Sequence, residues 1–441
     1  MRFLRTICLF IICLCLAMAA RAQQTLPTLS LKDAVDIALK NNYDIRLTKN
    51  TTAIAANNVT RGNAGQLPQI AAGLTSTNSL QNTTQTKSDG SVAQINGANN
   101  TSLTYGVNLN WTIFNGFAMF ANMDQLKQLS ELSKISQRDT IETTLANVIS
   151  TYYLLVNQVE QLKALQGAIE ISRTQLRYTQ DKLDVGRAAG LDVLNAKVNL
   201  NTDTSNYLVQ LQTYKSIKIR LNQLLARDLS TDFTVADTTI IVDDKLKLAD
   251  IINQAQSANP NILASQITQR LAEINLRQVK AMRYPQVGVN TGYNITNSAT
   301  PAGFARSQNT NGLAYGLTAS INIFNGNNQN RQETNAKLLI ENATISAGKT
   351  KQNIEAQIDN FYINYLSGLD LMRIDISNVA IAKQNLDISL EKYKLGNITP
   401  LEIREAQRNY LSAQSMYYQA QYQAKTAEIT LKEITNNINI Q

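Results

Sequence analysis

The sequence predicts an α+β membrane protein: four strands per chain that close into a β-barrel only together with other copies, continued by a long α-helical coiled coil. Three observations predict it. The chain is written twice. Each copy holds two segments with apolar residues at every second position and almost no charge between them. Each copy also holds a heptad-spaced helical stretch far longer than a globular domain uses.

The duplication sets the organisation. Leu67-Pro68-Gln69 returns as Tyr284-Pro285-Gln286, Tyr105-Gly106 as Tyr315-Gly316, and Ile113-Phe114-Asn115-Gly116 unchanged as Ile323-Phe324-Asn325-Gly326. Asp184-Val185-Gly186 matches Lys394-Leu395-Gly396, and Leu191-Asp192-Val193 matches Leu401-Glu402-Ile403. Repeat 1 occupies 23–226, its copied part starting at 31. Repeat 2 occupies 248–441, its copied part ending at 436. Residues 227–247, with Asp232, Asp237, Asp243 and Asp244, read as the linker. Each repeat reads helix, strand pair, long helix hairpin.

The strands come first. Leu103, Tyr105, Val107, Leu109, Trp111 and Ile113 alternate with Thr104, Gly106, Asn108, Asn110 and Thr112. Leu313, Tyr315, Leu317, Ala319, Ile321 and Ile323 do the same in repeat 2, and so do Val287, Val289, Tyr293 and Ile295. Ile70, Ala72 and Leu74 mark a weaker strand after Pro68. Period two gives one apolar and one polar face. A soluble sheet on a core gives the same alternation, but its water face normally carries charge, and here it is Gly, Asn, Thr and Ser. Eleven residues from Leu103 to Ile113 extend about 36 Å, enough to cross an apolar membrane band when tilted. Trp111, Phe114 and Phe324 at strand ends fit an interfacial aromatic girdle. The polar segments 76–100 and 296–312 read as surface loops.

Four strands cannot stand alone in lipid, because each unpaired edge amide or carbonyl costs several kcal/mol there. Two chains give an eight-stranded barrel filled by its own side chains. Three give twelve strands, the smallest closure with an open lumen; four give sixteen and stay open as an alternative.

The helices follow. Val148, Leu155, Leu162, Ile169, Leu176 and Leu183 lie seven apart, as do Ile358, Tyr365, Met372, Val379, Leu386 and Tyr393. This is a coiled-coil seam, with a slip expected near Gly368. Ala118 to Asp184 holds no proline and would reach about 100 Å as one helix. A plain structural coiled coil explains these helices but not the strands beside them.

The N-terminus reads as a signal peptide, 1–22: Arg2 and Arg5, the apolar run Ile7–Met18, then Ala20-Arg21-Ala22, with Gln23 first in the mature chain. Cys8, Cys13 and Cys15 all lie inside it, so the mature chain offers no disulfide, thiolate site or cysteine nucleophile. Neither Ile12 nor Leu14, each preceding a cysteine, suits lipidation. Loss of Arg2, Arg5 and Arg21 lowers the formal charge from +8 to +5. That surplus is dispersed, without a basic block for nucleic acid. With no histidine, no Gly-x-Ser-x-Gly elbow and no phosphate-cradling loop, the chain is expected to be no enzyme and to use no cofactor or metal.

Together, the proline at the first strand of each repeat (Pro68, Pro285), the Phe-Asn-Gly strand exits and the two glycine turns after the long helices carry a resemblance. The chain resembles the TolC-type outer-membrane efflux protein family over nearly its whole mature length. The resemblance implies a homotrimer, a barrel of twelve strands over a periplasmic tunnel of twelve helices, in the outer membrane of a Gram-negative bacterium. It implies a channel for tripartite efflux or type I export, with a periplasmic adaptor (membrane-fusion) protein and an inner-membrane pump of resistance-nodulation-division or ATP-driven type. It implies adaptor docking at Val185-Gly186-Arg187 and Leu395-Gly396-Asn397. It also implies a tip gate, which falls on Asp192, Tyr393, Glu402 and Glu405. Glu402 and Glu405 share a helix face, and symmetry turns each into a carboxylate ring that favours cations; a solvated acidic helix start is the competing reading. The family's basic tie residue, two places after the second glycine, is Ile398 here, with Arg187 and Arg404 as the candidates to replace it. The alternative function is a structural or adhesive trimeric coiled-coil surface protein without transport. The cargo is not written in the sequence.

Overall fold

The computed structural model describes residues 27–438 apart from Ala302 and Phe304. The expected signal peptide and Gln23 lie outside the described residues.

In chain order the elements are β1 (Thr28–Leu29), α1 (Leu31–Asn41), α2 (Tyr43–Asn57), β2 (Gln69–Thr86), β3 (Val92–Asn115), α3 (Ala118–Asp184) and α4 (Gly190–Leu224). Then follow β4 (Thr234–Val235), α5 (Leu248–Ala258), α6 (Pro260–Ala281), β5 (Gln286–Ala299), β6 (Ser307–Ser320), α7 (Asn328–Leu395) and α8 (Pro400–Ile434). The repeat is plain in this order: β2, β3, α3, α4 answer β5, β6, α7, α8. Helix α3 is unbroken over 67 residues and α7 over 68. Two compact units emerge, each drawing on both repeats: residues up to 48, 137–260 and from 352 onward, and residues 49–136 with 261–351.

In the second of these units the strands form one antiparallel sheet in the order β2-β3-β5-β6. Its register puts like with like. Ile70, Leu109, Thr291 and Tyr315 pair in one row, Ala72, Val107, Tyr293 and Leu313 in the next, and Leu74, Tyr105 and Ile295, ending on the polar Asn311, in a third. The interleaved rows are Gly73, Gly106, Asn294, Gly312 and Thr75, Thr104, Thr296, Thr310. One face is therefore an apolar belt, with Leu74 and Leu317 exposed, and the other is uncharged and polar. On the polar face Asn294 donates to Asn108 at 3.0 Å, and the hydroxyls of Thr104 and Thr296 meet at 3.1 Å. Glycine makes room for this ladder: a Cβ at Gly292 would run into Asn108 Oδ1, and one at Gly106 into Asn294 Oδ1 and the Tyr293 carbonyl.

The strands differ in length from the sequence expectation. Most of 76–100 is not a loop: β2 runs to Thr86 and β3 starts at Val92, joined by a turn in which Lys87 N donates to Ser91 O at 2.8 Å. Likewise β5 and β6 take in most of 296–312. Alternation of polarity cannot reveal a mostly polar ribbon; its Thr-rich ladder forms through backbone pairing, with the Asn100 amide donating to Gln81 Oε1 at 3.2 Å. In the other direction β6 stops at Ser320, and Ile321 and Ile323 lie beyond the last paired residue despite continuing the pattern.

In the first unit, Tyr152, Val148, Leu155, Leu221, Leu225 and Phe233 form a core with Ala34, Val35 and Ala38 of α1. The 227–247 segment joins the repeats and is packed: β4 pairs with β1, and the Tyr152 hydroxyl donates to Leu29 O at 3.2 Å. Glu428, buried, accepts from Lys425, Lys432 and the Asp243 amide.

Candidate functional site

The site predicted from the sequence is the pair of helix turns and the starts of the returning helices, all in the first unit. The two turns are built alike. Gly186 and Gly396 have φ of 74° and 80°, a region that strains any side-chain-bearing residue. Each closes a helix with paired backbone bonds. Gly186 N donates to Leu183 O and Arg187 N to Lys182 O; Gly396 N donates to Tyr393 O and Asn397 N to Lys392 O. That pattern satisfies the last carbonyls of α3 and α7. Val185 and Leu395 stand 69% and 76% exposed, as solvent-facing apolar groups, and Arg187 and Asn397 are exposed beside them.

The returning helices begin with acids for a local reason. Asp192 accepts from the Ala189 amide at 3.1 Å. Glu402 accepts from the Thr399 amide at 2.7 Å and hydroxyl at 2.8 Å, while Thr399 Oγ1 accepts from Glu402 N. The latter is a full capping box with Pro400 in the first turn. The Thr399 bonds hold the Glu402 carboxyl below its usual range, so it is charged at neutral pH. Glu405, one turn on, meets Arg408 at 3.9 Å, both exposed, a pair of little energetic weight.

Tyr393 behaves differently from the acids. It is 2% exposed, shares a 2.7 Å hydrogen bond with the Thr179 hydroxyl, and lies under the Lys182 ammonium at 4.2 Å from the ring centroid. Lys182 also donates to Tyr393 O at 2.9 Å. Tyr393 thus ties α7 to α3. The predicted site therefore splits into an exposed acidic pair, a capping Asp192 and a buried tyrosine tie.

Sequence reasoning missed the residues that hold the hairpins together. Down to Leu162 the predicted seam is buried; below it Ile169, Leu176 and Leu183 are only half-buried, and Ala168, Ser172, Gln175 and Thr179 take the buried positions. A helix of 3.6 residues per turn drifts against a strict heptad, and here the drift turns the seam polar. Gln175 donates to Pro400 O at 3.4 Å. Arg404 grips Asp203 of its own α4. Ser and Gln repeated at three- and four-residue spacing was the available signal.

In the second unit, the expected girdle residues take different places. The Trp111 indole donates to Gln66 O at 3.2 Å. Phe114 meets Phe117 edge-on at 5.2 Å, and Phe117 reaches Phe120 and Tyr284, each at 6.3 Å. Phe324 is 80% exposed outside any strand. Phe117, Phe120 and Tyr284 were not foreseen. No described helix is long and apolar enough to cross a membrane. Among the described residues no group of acidic side chains could hold a metal ion.

The family profile for outer membrane efflux protein matches residues 34–227 and 251–437. The chain belongs to the outer membrane efflux protein family. Its two matched segments are the two repeats. Outer membrane efflux protein BepC of Brucella suis is 21% identical over 410 residues, covering 93% of this chain and 86% of that protein. Outer membrane protein TolC of Salmonella enteritidis is 21% identical over 306 residues, covering 68% of this chain and 62% of that protein. A membrane protein from Pseudomonas aeruginosa superposes with a TM-score of 0.77 at 15% identity, covering 92% of this chain and 93% of that one. The CmeC outer membrane channel of Campylobacter jejuni gives 0.73 at 17%, with 92% and 85% covered. The fold is that of the family's outer-membrane channels, and membership places the chain in the Gram-negative outer membrane as an efflux channel.

Proposed function

We propose that three copies close one barrel of twelve strands, four from each. Together they act as the passive conduit of a tripartite system fed by a periplasmic adaptor and an inner-membrane pump. The observation that carries this is the sheet itself: β2 and β6 each have a single neighbour, while one face is a continuous apolar belt. Both free edges would be ruinous in hydrocarbon and vanish when β2 of one copy meets β6 of the next. The inward face of such a barrel is Asn, Thr and Gly, wet and unselective, so the pump sets the cargo. Threefold symmetry sets Glu402 and Glu405 as carboxylate rings at the tip, held near closure by Tyr393, with Asp192 fixing the start of the neighbouring hairpin. The exposed turns Val185-Gly186-Arg187 and Leu395-Gly396-Asn397 are the adaptor contacts. Trp111, Phe114 and Phe324 lie at the lipid interface.

The test is planar-bilayer conductance of the purified protein. Glu402→Ala with Glu405→Ala should raise single-channel conductance and weaken block by multivalent cations. Unchanged values in an intact trimer remove the gate. A monomer that never conducts removes the channel.

A further inference from the structure

Glu402 and Glu405 can form a constriction only if the start of α8 is held at one rotation, and a short capped helix end does not hold its own rotation. The structure supplies a device for this on the opposite face. Arg404 donates to both carboxylate oxygens of Asp203, at 2.7 and 2.9 Å. Asp203 is 2% exposed and also accepts from the Ser172 hydroxyl of α3. Gln407, 1% exposed, donates to Ala168 O at 2.9 Å, to Ser172 Oγ at 3.2 Å and to Asp203 Oδ2 at 3.2 Å. Arg404 Nη1 also reaches Gln407 Oε1 at 3.2 Å. Ile403 beside them is fully buried.

At about 100° per residue, the mean direction of Ile403, Arg404 and Gln407 lies about half a turn from that of Glu402 and Glu405. The buried face seats α8 in the groove between α3 and α4; the acidic face must then look the other way. A fork-on-carboxylate bond is the appropriate lock, because its two parallel bonds fix an angle as well as a distance. An ion pair this buried is seldom a source of net stability, which leaves orientation as its use.

We propose that the Asp203–Arg404 pair, with Gln407 and Ser172, is the positioning device that sets the rotation of α8 and thereby aims Glu402 and Glu405. Arg404 and Asp203 touch no substrate; they act through the acidic pair. The inference rests on the reading of Glu402 and Glu405 as the constriction.

The experiment measures half-blocking concentrations of hexamminecobalt(III) and single-channel conductance for heat-resistant trimers in planar bilayers. Arg404→Leu should weaken block about tenfold and raise conductance, while Arg404→Lys, which keeps the charge, falls between it and the parent. Gln407→Ala, which leaves the ion pair in place, should weaken block about threefold and serves if Arg404→Leu fails to assemble. Parent-like block in whichever of these variants assembles overturns the proposal. The Glu402→Ala, Glu405→Ala channel separates the two ideas. If it alone loses block, the positioning role fails and the constriction stands; if it too is blocked like the parent, the constriction reading fails first.

Discussion

Removing the Glu428 carboxylate tests how the segment between the repeats is held. Glu428 is 2% exposed. It accepts from Lys425 Nζ at 3.0 and 3.1 Å, from Lys432 Nζ at 2.7 Å and from the Asp243 amide at 3.0 Å. The Asp243 carbonyl in turn accepts from the Tyr365 hydroxyl. Glu428→Ala leaves the Lys425 ammonium, 13% exposed, and the Asp243 N–H without their acceptor. Breaking one partner out of a buried ion pair costs roughly 3–5 kcal/mol. Lys432 is 29% exposed and keeps Asp243 at 3.7 Å, so the low end, about 3 kcal/mol, applies. The loss falls on local opening of the segment around Asp243, and about 3 kcal/mol there speeds amide exchange by about 10². Native-state hydrogen exchange read at Asp243 and its neighbours measures it. Lys432→Ala, which removes a partly solvated partner, should speed the same amides only about fivefold. Exchange unchanged in Glu428→Ala, or equal in the two variants, would mean that Glu428 does not hold this segment.

Two further outcomes follow from the same structure. Gly292→Ala puts a methyl on Asn108 Oδ1, and overpacking of this kind costs about 1–3 kcal/mol; the thermal unfolding temperature of the protein should fall by several degrees. The double variant Asn108→Ala, Gly292→Ala should recover part of it. Glu433 and Glu142 respond to pH. Burial raises the Glu433 carboxyl above the ordinary carboxylate range, and nearby Asp139 adds to the rise; burial first, then Glu433, raises Glu142. These groups keep their protons in the folded chain where the unfolded chain has lost them. Their contribution to stability is therefore greatest below the ordinary carboxylate value and declines as pH rises from there through the raised values. Glu433→Gln should gain on the parent at neutral pH and match it in acid, as read by urea midpoints across that range.

Much of the architecture is local and could be read along the chain. A period of two or of 3.6 is fixed by backbone geometry, whatever the neighbours are, so Tyr105 and Leu317 on the apolar belt and the whole span of α3 were legible. So were the turns, because Gly186 and Gly396 must adopt left-handed backbone, and acids such as Asp192 and Glu402 follow three residues after a cap. The duplication, set by sequence alone, fixed which parts correspond. Tertiary structure decided the rest. Whether Ser172, Gln175 and Thr179 are buried depends on supercoil drift and on what lies across the groove. Arg404 is a surface cation on paper; Asp203, 201 positions away in sequence, makes it an interior one. Strand ends at Thr86 and Ser320 were settled by backbone partners rather than by side chains. A periodicity states which face turns inward, and the physics of burying polar groups depends on a partner that only folding brings near.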